Sequence, residues 1–208
     1  MNYESLIFDI DGTLWDSREL VVVGYNRQLV AEGLDHLCVN AEQLKKLFGK
    51  TMTEIADIML EEIPAPERYG LMERCMKSED AYLHQHPCDT IAYEGVVETL
   101  EALAKKHRIF IVSNSQKGYP DLVMDKLNIR HLITDHLCFG DTGTSKGKTI
   151  RTLMERNGVT SAIYIGDTQG DYEATLEAGV PFIWCTFGFG EPAGYEAKVD
   201  TFPQLLAL

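Results

Sequence analysis

Apolar residues follow two alternating rhythms along this chain. Short continuous runs, Leu6-Ile7-Phe8, Ile109-Phe110-Ile111-Val112, Ile163-Tyr164-Ile165 and Phe182-Ile183-Trp184-Cys185, are each flanked by polar or glycine-bearing segments. A strand buried on both faces needs such a run, so strands are predicted at 5–8, 108–112, 162–165 and 181–185, with a shorter one at 137–139. Helical stretches are predicted between them at 95–106, 117–127, 146–157 and 172–178. Segment 17–86 differs. There Leu44, Leu47 and Phe48 are spaced i, i+3, i+4, as are Met72, Cys75 and Met76, and no strand pattern interrupts them. About four helices are predicted, broken once at Pro64-Ala65-Pro66. The alternation predicts an α/β protein: a doubly wound, Rossmann-like parallel-sheet core (1–16 and 87–208) carrying a small α-helical cap (17–86).

Composition narrows the class. At 208 residues and 45% hydrophobic, the chain can bury a substantial core. No basic region precedes an apolar segment at the N-terminus, and no apolar run approaches the ~20 residues needed to span a bilayer, so a soluble cytoplasmic protein with no membrane partner is expected. The five cysteines (Cys38, Cys75, Cys88, Cys138, Cys185) are scattered and never spaced C-x-x-C, which predicts reduced thiols rather than disulfides or a zinc site. A net charge of −13 at pH 7 argues against nucleic acid as a partner. It also means that any phosphorylated substrate needs a local positive site. A monomer or weak homodimer is expected.

In doubly wound sheets, ligands bind beyond the carboxyl ends of the strands, so the residues that follow each apolar run carry the chemistry. After the first strand come Asp9-Ile10-Asp11-Gly12-Thr13, where two acids two residues apart can face one pocket and Gly12 lets the chain turn. One carboxylate can attack phosphorus or hold a metal while the other moves a proton. Ser113 and Asn114 follow the second strand, Lys146 opens the helix after the third, and Gly166-Asp167 with Asp171 follow the fourth. Acid pair, hydroxyl, cation and second acid pair together form an inventory for metal-assisted phosphoryl transfer.

Rival motifs fail on spacing. A calcium loop counted from Asp9 would need glycine at Leu14 and glutamate at Leu20. Gly147-Lys148-Thr149 ends like a phosphate-binding loop, but Thr142 stands where the first glycine belongs. Gly188-Phe189-Gly190 with Ala193 fits a loose dinucleotide pattern, yet too little chain follows, and a glycine-rich turn is expected. Lys148 stays a rival to Lys146, because a shifted helix start would exchange them. His84 and His86, two apart on a helix, do not share a face and are read as cap surface residues.

Across almost the whole chain these residues resemble the haloacid dehalogenase superfamily, and within it the phosphoglycolate-phosphatase-like enzymes with a helical cap after the first strand. Asp9-Ile10-Asp11-Gly12-Thr13 resembles the family's first motif, Ser113 its second, Lys146 its third, and Gly166-Asp167 with Asp171 its fourth. The resemblance implies an Mg²⁺-dependent phosphatase acting on a small phosphorylated metabolite. It makes Asp9 the nucleophile that forms an aspartyl-phosphate and Asp11 the general acid/base, whose backbone carbonyl also binds metal. Asp167 becomes a direct metal ligand and Asp171 acts through metal-bound water. Ser113 and Lys146 hold phosphoryl oxygens, with Asn114, Gly12 and Thr13 beside them. Three ionised acids are balanced by Mg²⁺ and Lys146, which gives Asp11 reason to be protonated. Oxygen-only ligands favour Mg²⁺ over zinc, with no histidine or cysteine expected at these strand ends.

Dehalogenase relatives lack the second acid and phosphonatase relatives replace it, so Asp11 disfavours both. A phosphomutase resembling β-phosphoglucomutase stays open as the alternative, and so does a phosphate-sensing protein without turnover. Phe48-Gly49-Lys50-Thr51 resembles a cap loop that reaches over the active site, which makes Lys50 either a contact for the remote end of the substrate or a solvated lysine. Trp15 and Asp16, at the first cap hinge, are expected to wall the entrance.

Overall fold

A computed structural model describes residues 3–87 and 91–208. Cys88 therefore lies outside the described residues, and the remaining cysteines are free thiols. The sheet-forming chain starts with β1 (Ser5–Phe8), every residue of which is buried. Next come α1 (Arg18–Ala31), α2 (Ala41–Lys45), α3 (Met52–Met59) and α4 (Ala65–Gln85). The chain continues through α5 (Val96–Leu103), β2 (Arg108–Ser113), α6 (Tyr119–Lys126), β3 (Ile133–Cys138), α7 (Phe139–Thr142) and α8 (Lys146–Arg156). It closes with β4 (Ala162–Gly166), α9 (Gln169–Ala178), β5 (Phe182–Cys185) and β6 (Ala197–Val199).

All the strands pair in parallel, in the order β3-β2-β1-β4-β5-β6. Period-two alternation sends successive residues of each strand to opposite faces. Leu6, Phe8, Ile109, Ile111, Ile163 and Ile165 enter one core with α5 and α6, while Ile7, Phe110, Val112 and Tyr164 enter a second with α8. Both faces are covered, which is why the strand sequences read as unbroken apolar runs. The chain moves outward from β1 to β3, then returns to lay β4 on the other side of β1. That reversal opens a crevice at the carboxyl ends of β1 and β4, where a doubly wound sheet binds its ligand.

The helical layer between β1 and α5 has its own core of Val21, Tyr25, Leu29, Leu44, Leu47, Ile55, Leu71 and Cys75. Its central contact is α1 against α4. At Gly24 an added Cβ would lie 2.4 Å from the Cα of Glu79, so only glycine permits this crossing, and Ser78 Oγ donates to the Gly24 carbonyl at 2.7 Å. The break expected at Pro64-Ala65-Pro66 is the start of α4, with proline in its first turn.

Two strands depart from expectation. β3 begins at Ile133, and Phe139 already belongs to α7. Its first residues, Ile133-Thr134-Asp135-His136, are partly exposed on a sheet edge, so no apolar run announced them. β6 is three residues at the other edge and was not anticipated. Among the described residues no helix is long and apolar enough to cross a membrane.

Candidate active site

Beyond Phe8 the chain keeps one more ladder bond, from Asp9 N to the Ile165 carbonyl at 2.9 Å, and then turns. The Ile10 carbonyl accepts from the amides of Thr13 and Leu14, and Gly12 takes φ +83°. A side chain at Gly12 would collide with the Asp167 carboxylate, at 2.2 Å from Oδ2. The tight turn thus presses the first acid segment against the second. Thr13 is fully buried and its hydroxyl faces Asp167 Oδ1 at 3.5 Å. Gly12 and Thr13 therefore meet Asp167.

Asp9, Asp167 and Asp171 are all buried, with carboxylate oxygens within 4.8 Å of one another. Lys146, also buried, reaches Asp9 Oδ1 at 2.9 Å and Asp171 Oδ1 at 2.6 Å. Burial opposes its charge, but Asp171 and Asp9 outweigh that and hold its pKa above the ordinary lysine value. Burial and the Asp171 charge push Asp9 up to about 7 despite Lys146. Asp167 is raised well above the usual carboxylate range by burial, Asp171 and Asp9. Asp171 goes the other way: burial is overcome by Lys146 and by Thr168, whose amide and hydroxyl bond Oδ2 at 3.0 and 2.7 Å. The amide bond pairs with a return bond from Asp171 N to Thr168 Oγ1 at 3.1 Å, the reciprocal capping box that starts α9. At ~4 Å and an effective dielectric near 20, each like-charge pair costs on the order of 4 kcal/mol. One ammonium cannot balance three such acids. An oxygen-only donor set with excess negative charge fits a hard divalent cation.

Asp11 is held differently. Its Oδ1 accepts from Ser17 Oγ at 2.6 Å, Tyr119 OH at 2.8 Å and Trp15 Nε1 at 3.0 Å, which keeps its carboxylate out of the three-acid group. Burial raises its pKa more than these donors lower it. Trp15 is fully buried in this role, so it does not wall an entrance, and Asp16 pairs with Arg18 at 2.7 Å. Lys148 is exposed, so of the two rivals it is Lys146 that enters the site. His84 is exposed at the end of α4.

Asp9, Asp11, Ser113, Asn114, Lys50 and Lys146 line one cavity of about 50 Å³ beneath the helical layer. Ser113 is buried, and its Oγ accepts from Ser115 N at 3.2 Å. Asn114 Nδ2 donates to the Gly49 carbonyl at 2.7 Å, tying the loop before α3 to the end of β2. Lys50, exposed at the rim, borders this cavity and a neighbouring open cleft. Phe48 packs on Phe189 with ring centroids 5.0 Å apart.

Three features escaped the sequence. Phe189 N donates to Asp167 Oδ2 at 2.6 Å, so the expected glycine-rich turn also orients an acid, and a backbone donor has no residue signature. Glu79 of α4 is buried and lines the cavity, although it reads as an ordinary helix acid. Cysteines do close two strands, Cys138 on β3 and Cys185 on β5, contrary to expectation. Burial first, then Asp167, raises Cys185 well above the usual thiol value, while the three-acid group itself remains all oxygen.

The sequence profile described as haloacid dehalogenase-like hydrolase matches residues 6–185. The chain is 29% identical over 204 residues to the phosphoglycolate phosphatase of Agrobacterium fabrum, covering 93% of this chain and 85% of that one. It is 25% identical over 228 residues to the 5'-nucleotidase of Pseudomonas aeruginosa, covering 99% and 96%. A solved haloacid dehalogenase-like hydrolase from Streptococcus pneumoniae superposes with a TM-score of 0.83 at 18% identity, covering 99% of this chain and 97% of that one.

Proposed function

Because the chain belongs to the haloacid dehalogenase-like hydrolases, we propose that it is an Mg²⁺-dependent phosphatase that hydrolyses a small phosphate monoester through an aspartyl-phosphate on Asp9. The observation that carries this reading is the grouping of Asp9, Asp167 and Asp171, with Lys146 bridging Asp9 and Asp171, all buried at the sheet's switch point. Related phosphatases over nearly the full length support the reaction class.

Asp9 and Asp167 would hold Mg²⁺ through carboxylate oxygens, with the Asp11 carbonyl as a further ligand and Asp171 acting through a metal-bound water. When bound, the ion neutralises the acids and polarises the phosphoryl group. Asp9 attacks phosphorus and Lys146 and Ser113 hold the phosphoryl oxygens. Asp11 gives a proton to the leaving oxygen and later takes one from water, consistent with a raised pKa and an Oδ1 anchored by three donors. Residues 17–86 act as a cap that closes over the cavity, with Asn114 and Lys50 on its border.

The test is phosphate release from a panel of phosphate monoesters. Hydrolysis that requires Mg²⁺ and is lost in Asp9→Asn supports the reading. Equal activity in excess chelator, or in that variant, contradicts it.

A further inference from the structure

Three buried polar atoms that make no hydrogen bond among the described residues lie around one cavity. They are Glu79 Oε2, Asn114 Oδ1 and Ser115 Oγ. An unpaired buried polar atom costs about 1–3 kcal/mol, so three around one space mark a place built for a ligand to complete. The Asn114 assignment is unambiguous, because its amide nitrogen already donates to the Gly49 carbonyl. Glu79 is positioned with equal care. Gly24 of α1 lies against its Cα, and the Ser78 hydroxyl pins the same crossing.

We propose that this cavity selects phosphate esters whose remote end bears hydroxyl groups, with Glu79 and Asn114 as the specificity-determining hydrogen-bond partners, over esters that end in a carboxylate. The inference rests on the phosphatase reading for the other end of the substrate. Asn114 Oδ1 can only accept, and Glu79 and Ser115 can each pair with a hydroxyl, whereas a substrate carboxylate has no proton to give Asn114. Burial and the neighbouring Asp80 and Asp11 favour a protonated Glu79, and a substrate hydroxyl can pair with either protonation state. A carboxylate would meet the acceptor Asn114 Oδ1 and the acids Asp9 and Asp11, and the lining lysine besides the phosphoryl-holding Lys146 is Lys50 at the rim.

The probes are glycerol 3-phosphate and 2-phosphoglycolate. The expected result is a kcat/KM at least about tenfold higher for glycerol 3-phosphate, the factor that one well-formed hydrogen bond supplies. Glu79→Leu should reduce that ratio about tenfold. Glu79→Gln, which keeps the size and can still pair with hydroxyls, should reduce it less. Calorimetric binding of both probes to Asp9→Asn in Mg²⁺ should show the same order, which decides the pocket's preference without turnover. Acetyl phosphate, with no remote end to read, tests the phosphatase reading separately in the wild-type protein. A preference for 2-phosphoglycolate in binding, or Glu79→Leu and Glu79→Gln changing both probes equally, overturns the proposal.

Discussion

Asp9 and Asp11 stand two residues apart, yet they are held by different neighbours. Asp9 contacts Lys146, whereas Asp11 is gripped on one oxygen by Ser17, Tyr119 and Trp15. That division suits a nucleophile and a proton carrier. Asp11→Asn is therefore expected to slow phosphoenzyme formation from an alkyl phosphate by about 10² to 10⁴, and much less from an aryl phosphate whose phenolate leaves without a proton. Single-turnover rates with both esters check this, and equal slowing counts against the role. Glu79 yields a stability prediction. Its pKa in the folded protein is raised well above 4.5, by burial and then by Asp80 and Asp11, so the native state binds its proton more tightly than the unfolded chain does. The stability that this group contributes is thus fully present below about 4.5 and is lost as pH rises through the folded value. Glu79→Gln carries no such penalty, so its Tm should gain on the wild type with rising pH. A Tm difference that is flat from pH 5 to 8 would be inconsistent with a buried, raised carboxyl. The acids after β1 and β4 were legible because strand ends announce them. Glu79 was not, since its importance comes from a helix crossing at Gly24 that sequence spacing does not display.

Elements with strong internal patterns were readable, and those stabilised by their neighbours were not. β1, β2, β4 and β5 are continuous apolar runs because both faces are covered. Only the buried end of β3, at 137–138, was legible and β6 was not, because both lie at the sheet edges, where polar residues and short length weaken the signal. The α1–α4 crossing tests which local effect wins. In a helix interior, Gly24→Ala gains up to about 1 kcal/mol of propensity. Against that, the new Cβ would sit 2.4 Å from backbone that cannot move aside like a flexible side chain. Overpacking of this kind costs about 1–3 kcal/mol, so Gly24→Ala should be net destabilising and lower the urea midpoint. An unchanged or higher midpoint would show that the two helices separate easily.

At the scale of the molecule, a chain of net charge −13 concentrates three buried acids at one sheet crevice and supplies Lys146 as the cation that two of them, Asp9 and Asp171, touch. Mg²⁺ should therefore stabilise the folded protein, by about 2.7 kcal/mol at a hundred times its Kd. Thermal melts should show a Tm rise with Mg²⁺ in the wild type that shrinks in Asp167→Asn, and equal shifts in both would remove Asp167 from the metal site. The central claim is that Asp9 carries the phosphoryl group, and the most direct measurement is the intact mass of protein quenched in acid after brief mixing with acetyl phosphate and Mg²⁺. The account predicts a species heavier by one phosphoryl group, located on Asp9 after digestion, accumulating in Asp11→Asn and absent from Asp9→Asn. Phosphate release with no such adduct in Asp11→Asn, or an adduct that survives in Asp9→Asn, would contradict it.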